Sequence, residues 1–334
     1  MLLRQIASGD ARTRLVLGEI ERVSPLLRNY VHFYTGPGAA DTVRAAGSHD
    51  TLKTRSLGEG YSEDEMAPAT NSVGRKLAGD AVKMDKAYEV MGYDVASEFE
   101  LLLVQKGEAL GLGFNNLLIN GDPSTDAEQF AGLKKTVTTI SGVSGYSGQV
   151  ITGFDDTPVD GSGDPDYANY HKLVLGNSDA ATNAKQRFLR QLDRAIAQVR
   201  GTYKAIVMNG NMMSTLTALA REYVTETKDQ FGIPIKMYNG IPLIDIGFKS
   251  DGSDIITSTE SLTLDSTEYE DSTSIYIVGF GEKKDFTFWS APEGFKVYPM
   301  VLVDNWYKHF IDLIADSTRT HNKCIARLKG IRII

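Results

Sequence analysis

The stretch Phe114-Asn115-Asn116-Leu117-Leu118-Ile119-Asn120-Gly121-Asp122, followed by Phe130-Ala131-Gly132-Leu133, decides how this chain is read. Leading into it, Val95, Phe99, Leu102, Leu103, Leu110, Phe114, Leu117 and Leu118 recur mostly at helical steps, so one apolar stripe runs along one long helix. Residues 95 to 118 would make a rod of roughly 36 Å at about 1.5 Å per residue. Gly111 and Gly113 weaken that rod near its end. Asn120-Gly121-Asp122-Pro123 then stops it, with Gly121 expected to supply a left-handed residue and Pro123 to block continuation.

Upstream, residues 1–46 read as an arm. Ile6, Leu15, Leu17, Ile20 and Val23 are irregularly spaced, Gly36-Pro37-Gly38 interrupts any continuing element, and the apolar surface is too small for a core of its own. Residues 47–84 are polar and weakly patterned, with Glu63-Asp64-Glu65 near the middle. A segment of that length without a packing pattern is unusual inside a domain. A two-stranded arm reaching out to a neighbouring copy resolves the conflict, because an isolated hairpin is at best marginally stable.

Downstream, residues 136–166 read as strands and loops, rich in Gly, Ser, Thr and Asp. A second helix opens at Ser178-Asp179 and carries Phe188, Leu192, Ala195, Ile196 and Val199 on one stripe up to Gly201. A strand at Ala205–Met208, a polar turn at Asn209-Gly210-Asn211 and a third helix to about Tyr223 follow. After the Asn239-Gly240 turn the chain is mostly strand: 241–248, 274–280, 286–289 and 296–303. Residues 251–271 hold seven acidic residues and no Lys or Arg, which predicts an exposed loop. Trp306–Asp316 fits a helix stripe and a strand face equally well.

Candidate chemistry fails on spacing. Gly111-Leu112-Gly113 lacks the third glycine of a dinucleotide fingerprint, Gly279–Lys284 lacks the ending of a phosphate loop, and Gly142–Gly148 spells no nucleophile elbow. Asp160, Asp164 and Asp166 alternate as ligands for a hard cation would, with Asp155 and Asp156 nearby. Pro165 and His171 stand where a calcium loop needs Gly and Glu. His32, His49, His171, His309 and His321 form no HExxH pair, and His321-x-x-Cys324 supplies two ligands at most. The expectation is a chain with no catalytic residues, no cofactor and no metal beyond that partial aspartate cluster.

The bulk numbers agree. The 334 residues exceed one compact core, and 42% hydrophobic content argues against wholesale disorder. The single cysteine, Cys324, excludes an internal disulfide. No apolar run is long enough to cross a membrane or to act as a signal peptide, so a soluble protein made in a cytoplasm is expected. A net charge of −8, with Arg4, Arg12, Arg14, Arg22 and Arg28 partly offset by acids, argues against sequence-specific nucleic-acid binding.

The helix exit quoted first, with Tyr93-Asp94-Val95 opening the helix, resembles the spine helix of tailed-bacteriophage major capsid proteins. Tyr203–Asn209 with Met212, Met213 and Leu216 is similar to the strand-turn-helix of that family's axial domain. Tyr238–Ile244 is similar to its Gly-x-Pro strand, and Cys324–Ile331 to its C-terminal strand. The resemblance implies an α+β Hong Kong ninety-seven-type capsid fold. Its parts would be an N-arm (1–46), an E-loop (47–84), a peripheral domain with the spine helix (85–135), an axial domain (136–283) and a return to the peripheral domain (284–334). It makes Trp306–Asp316 a strand. It implies a major capsid protein whose copies form hexamers and pentamers in an icosahedral shell around double-stranded DNA. The shell would be assembled in the bacterial host cytoplasm and carried in the virion, with non-specific DNA contact. A separate scaffolding protein and a portal are the expected partners, since the chain starts almost directly with the arm. Lys53 and Lys76 are candidate donors for the crosslink that some members form. An encapsulin-like nanocompartment shares the fold and is the alternative.

Overall fold

Asp94 opens the long helix as its N-cap, with its carboxylate accepting the Ala96 N–H at 3.1 Å. The computed structural model describes residues 2–7, 9–35, 40–45, 69–74, 76–138, 150–152, 172–173, 179–201, 203–228, 232–264, 267–281 and 285–333. Its helices are α1 (Leu3–Ile6), α2 (Ala11–Val23), α3 (Pro25–Asn29), α4 (Ala87–Val90), α5 (Val95–Asn120), α6 (Leu133–Thr138), α7 (Asp179–Gln198) and α8 (Gly210–Leu219). The first nine strands are β1 (Phe33–Thr35), β2 (Ala40–Ala45), β3 (Ala69–Gly74), β4 (Leu77–Asp85), β5 (Val150–Thr152), β6 (Lys172–Leu173), β7 (Tyr203–Met208), β8 (Val224–Lys228) and β9 (Pro234–Tyr238). The others are β10 (Ile241–Asp245), β11 (Glu260–Leu264), β12 (Thr267–Phe280), β13 (Phe286–Val297), β14 (Val301–Val303), β15 (Trp306–Arg319) and β16 (Ile325–Ile333).

The strands make two lobes. In one, β4 and β13 flank β15 antiparallel, β1 lies parallel on β13, and β14 turns back onto the start of β15. In the other the order is β16-β12-β7-β10-β9-β8, with β5 and β6 along β16 and β11 folded back on β12. The lobes join at the Phe280–Phe286 pair. Trp306–Asp316 is thus a strand, as the resemblance implied. His309, Ile311, Leu313 and Ala315 are buried along it, whereas Trp306 and Phe310 point to solvent.

In the second lobe alternation divides each strand between two cores. Ala205, Val207, Tyr276 and Val278 join the core that continues under α5, while Ile206, Met208, Ile275 and Ile277 face α7 and α8. Both faces are covered, which is why β7 and β12 read as unbroken apolar runs. Phe188, Leu192, Ala195 and Val199 of the second predicted helix lie in that outer core. Asn209, expected in a turn, is the N-cap of α8: it accepts the Met212 N–H at 2.8 Å and donates to the Ile256 carbonyl at 3.0 Å. Asn239 and Gly240, with φ of 48° and 78°, form the left-handed pair of the β9–β10 hairpin.

Residues 2–35 bury Leu3, Val16, Leu26, Leu27, Val31 and Phe33 completely within this chain, against α5 and β13 and not as a core of their own. The buried face of α2 includes Thr13, whose hydroxyl accepts the Val297 N–H at 3.1 Å. Three expectations need correction. Gly111 does not merely weaken α5. With Gly107 it lets α2 approach, and a Cβ at Gly111 would stand 2.4 Å from Val23 Cγ2, whereas Gly113 faces open space. Gly121 is not left-handed (φ −55°, ψ 131°); a Cβ there would strike the Phe130 and Leu117 carbonyls at 2.5 and 2.6 Å. The acidic stretch 251–271 is not one exposed loop: Ile255 and Ile256 are buried, and Glu260 starts β11.

Candidate interaction surface

The spine of the first lobe shows what the quoted motif does. Gly121 and Gly132 meet back to back, with the Gly132 N–H donating to the Gly121 carbonyl at 2.8 Å. That contact drops Phe130 between Phe114 and Phe288, with centroids at 5.5 and 5.1 Å. Asp122 accepts from the Ser124 N–H and hydroxyl at 2.9 and 2.5 Å and pairs with Lys135 at 3.1 Å. These bonds hold its carboxyl below the usual range, the Ser124 hydroxyl most of all. The wholly buried Asn115 pins α5 to the α2–α3 corner through the Ser24 hydroxyl at 2.6 Å. Every one of these contacts is structural.

The residues flagged for chemistry are not brought together. Asp155, Asp156, Asp160, Asp164 and Asp166, with His49, His171, Lys53, Ser144 and Ser147, lie outside the described residues. Among the described residues no group of three or more His, Cys, Asp or Glu is placed to hold a metal. No described helix is long and apolar enough to cross a membrane. His321 Nδ1 accepts the Lys323 N–H at 3.1 Å, which leaves Nε2 to donate to Asp285 at 2.9 Å. Cys324 donates to the His321 carbonyl at 3.0 Å, and burial pushes its thiol up to about 12, far from the range of a reactive thiolate. His32 stacks on Tyr203 at 5.5 Å, and His309 bonds the Tyr298 carbonyl at 2.8 Å. Lys76 donates to the Ala127 carbonyl.

One buried charged cluster had no sequence signal. Both carboxylate oxygens of Glu260 accept from Arg327 Nη2, at 2.9 and 3.0 Å, and one also accepts from the Ser274 hydroxyl, while Arg327 lies over the Tyr276 ring. It ties β11, β12 and β16 across 67 residues of sequence. A sequence reading sees only a glutamate in an acidic run.

The surface features are more informative. The ribbon β2–β3 is a two-stranded sheet of its own, in register from Ala40–Gly74 to Ala45–Ala69. The outgoing strand therefore belongs to the region read as arm, and residues 77–84 belong to the main sheet as β4. At the far end of the first lobe, β14 and the segment 86–93 form an apolar tip. Asp304, with φ of 55°, makes the tight β14–β15 turn, and the neighbouring Asn305 carbonyl accepts the Lys86 N–H at 2.8 Å. Tyr307 donates to Glu89 at 2.6 Å. These two ties bring Val90 (83% exposed) and Met91 (62%) to the end that carries Val301, Leu302 and Val303 (46, 47 and 37%). Large apolar side chains exposed together at one end of a lobe are the composition of an interaction surface more than of a solvated one.

No protein-family model matches the chain, and no curated protein matches it in sequence. Solved structures do. The holo-SrpI encapsulin complex from Synechococcus elongatus PCC 7942 is similar with a TM-score of 0.56 and 13% identity, over 99% of this chain and 90% of that one. A chain of Mycobacterium phage Bobi gives 0.53 and 10%, over 91% and 89%. The capsid of a native GTA particle gives 0.51 and 12%, over 91% and 89%. The α+β architecture is thus the Hong Kong ninety-seven-type capsid fold, shared along nearly the whole chain.

Proposed function

We propose, taking that fold as the premise, that the chain is a shell-building subunit, and specifically the major capsid protein of a tailed phage. The observation that carries this reading is the pairing of a capsid fold over 91–99% of the chain with two features a solitary globule would not keep. Those features are the β2–β3 ribbon, which among the described residues makes strand pairs only within itself, and the exposed apolar residues of the tip. A closed shell repeats heterologous contacts, one face meeting a different face on the next copy. Chain extensions serve that geometry because they reach area a compact globule cannot.

In this reading β2, β3 and the residues between them are the E-loop, β4, α5, β13 and β15 belong to the peripheral domain, and β7–β12 with α7 and α8 belong to the axial domain. The copies form hexamers and pentamers in an icosahedral shell around double-stranded DNA, with a separate scaffolding protein and a portal as partners. The shell is assembled in the host cytoplasm and resides in the virion. The subunit has no catalytic role. The net charge of −8 supports the reading, since an inner wall that gripped phosphates would hinder movement of packaged DNA.

The second reading, an encapsulin-like compartment, is favoured by the 0.56 score against the encapsulin complex. Negative-stain electron microscopy of the chain, expressed alone and with a candidate scaffold, tests both. Uniform icosahedral particles are expected. DNA inside them supports the phage reading, cargo protein supports the compartment, and a persistent monomer under both conditions overturns shell building.

A further inference from the structure

We propose that Asp316 is a positioning residue that sets the angle at which the β2–β3 ribbon leaves the body of the chain. The proposal rests on the shell-building reading, in which that ribbon meets a neighbouring copy. Asp316 stands on β15 opposite Trp289 of β13, and its Oδ2 accepts the backbone N–H of Gly74 at 3.0 Å. Gly74 is the last residue of β3 and pairs with Ala40, the first of β2, so the bond falls at the base of the ribbon. Two further ties hold the same exit. The Ala315 N–H donates to the Lys76 carbonyl at 3.0 Å, and the Lys76 ammonium donates to the Ala127 carbonyl.

The ribbon behaves as a cantilever. Among the described residues β2 and β3 make strand pairs only with each other, and the main sheet meets them at the base, where β15 lies against β3. Six residues of strand span roughly 20 Å, and a tilt of about 10° at the base moves the far end by about 3 Å. That displacement exceeds the tolerance of any hydrogen bond the far end could make. The direction of the base is therefore worth fixing.

A carboxylate is an expensive choice at this position unless it has that task. Burial raises the pKa of Asp316, while the Gly74 and Ser317 N–H groups and the nearby Lys76 charge oppose the shift. A threonine would fit a strand without the desolvation. What the carboxylate adds is a charge-assisted acceptor aimed at one ribbon amide. Lys76 is the charged group facing it from the β3–β4 exit, and Trp289 faces it uncharged from β13.

The test uses the full chain with Asp316→Ala and Asp316→Asn. Hydrogen exchange around Gly74 is read in the unassembled subunit, and particle formation by light scattering and electron microscopy. Asp316→Ala is expected to speed exchange at Gly74 and slow particle formation, each by about tenfold, the effect of losing one strong hydrogen bond. Its unfolding midpoint should stay close to that of the parent. Asp316→Asn keeps an acceptor oxygen without its charge and is expected to recover about half of each loss, leaving both readouts about threefold from the parent. Unchanged exchange in Asp316→Ala, or no rescue by Asp316→Asn, overturns the proposal. If the parent chain forms no particles, shell building fails, and the exchange arm still decides whether Asp316 holds the ribbon base.

Discussion

Ala205-Ile206-Val207-Met208 and Val301-Leu302-Val303 are short apolar strands of the same character, and the fold treats them in opposite ways. The first four side chains are completely buried between two cores. The other three are 37–47% exposed at the end of the first lobe. Hydrophobicity alone does not separate them. The difference lies in what covers them: α7 and α8 on one side of β7 and the α5 core on the other, against no covering layer over β14 among the described residues. One run is finished within the subunit, and the other is the surface that the shell-building reading leaves for a second copy.

The largest expected effect breaks this comparison directly. Val207→Asp puts an unpaired charge into a closed core, a change that costs on the order of 4–5 kcal/mol or more. It should leave no soluble folded protein. Leu302→Asp puts the same group in water, so its circular dichroism and unfolding midpoint should match the parent while particle formation is lost. Normal particles from folded Leu302→Asp would show that the tip is no contact surface.

A smaller effect concerns charge within the covered lobe. Arg327→Met leaves Glu260, nearly buried, with only the Ser274 hydroxyl and the more distant Lys134 ammonium at 4.0 Å in place of its close ion pair. Breaking a buried pair from one side costs about 3 kcal/mol. Adding Glu260→Gln should recover much of that loss, since the stranded charge and not the missing contact dominates. Urea unfolding of the two variants and the double variant measures it. A double variant no more stable than Arg327→Met would argue against a stranded charge.

The glycines of α5 sharpen the contrast at one helix. Gly111→Ala must push against Val23 at 2.4 Å and should destabilise by about 1–3 kcal/mol. Gly113→Ala meets nothing and should stabilise by about 0.5–1 kcal/mol, because alanine loses less backbone freedom in a helix. Thermal unfolding of the two variants should therefore shift in opposite directions.

The fold was legible where a pattern belongs to one element. The stripe of α5, the stripe of α7 and the Asn239-Gly240 turn are each decided by neighbours in sequence. The order of four motifs was enough to imply the capsid fold and to settle Trp306–Asp316 as strand. What was not legible depends on partners far along the chain. The fit of α2 against Gly107 and Gly111, the back-to-back meeting of Gly121 and Gly132, and the Glu260–Arg327 pair are all tertiary. The tip was equally hidden: 296–303 read as an ordinary strand, and nothing local says that its second half would be uncovered. The aspartates at 160, 164 and 166 were the sharpest chemical signal in the sequence, and they lie outside the described residues.

The smallest effect lies on β15, where covered and uncovered residues alternate. His309 faces Phe99 edge-on at 4.9 Å and is almost wholly buried, while Phe310 beside it is 41% exposed. Burial, the largest influence, lowers the His309 pKa; the Tyr298 carbonyl opposes it, and Arg12 adds to it. A base with a depressed folded-state pKa is bound by fewer protons in the folded chain than in the unfolded one. Its contribution to stability is therefore present above about pH 6.5 and is lost as the pH falls below that value toward the depressed folded pKa. The unfolding midpoint should decline modestly across that window, and His309→Gln should flatten the decline. An equally steep decline in His309→Gln would move the pH sensitivity to another group. The tip residues next to it should not contribute, because none of Val301, Leu302 and Val303 titrates.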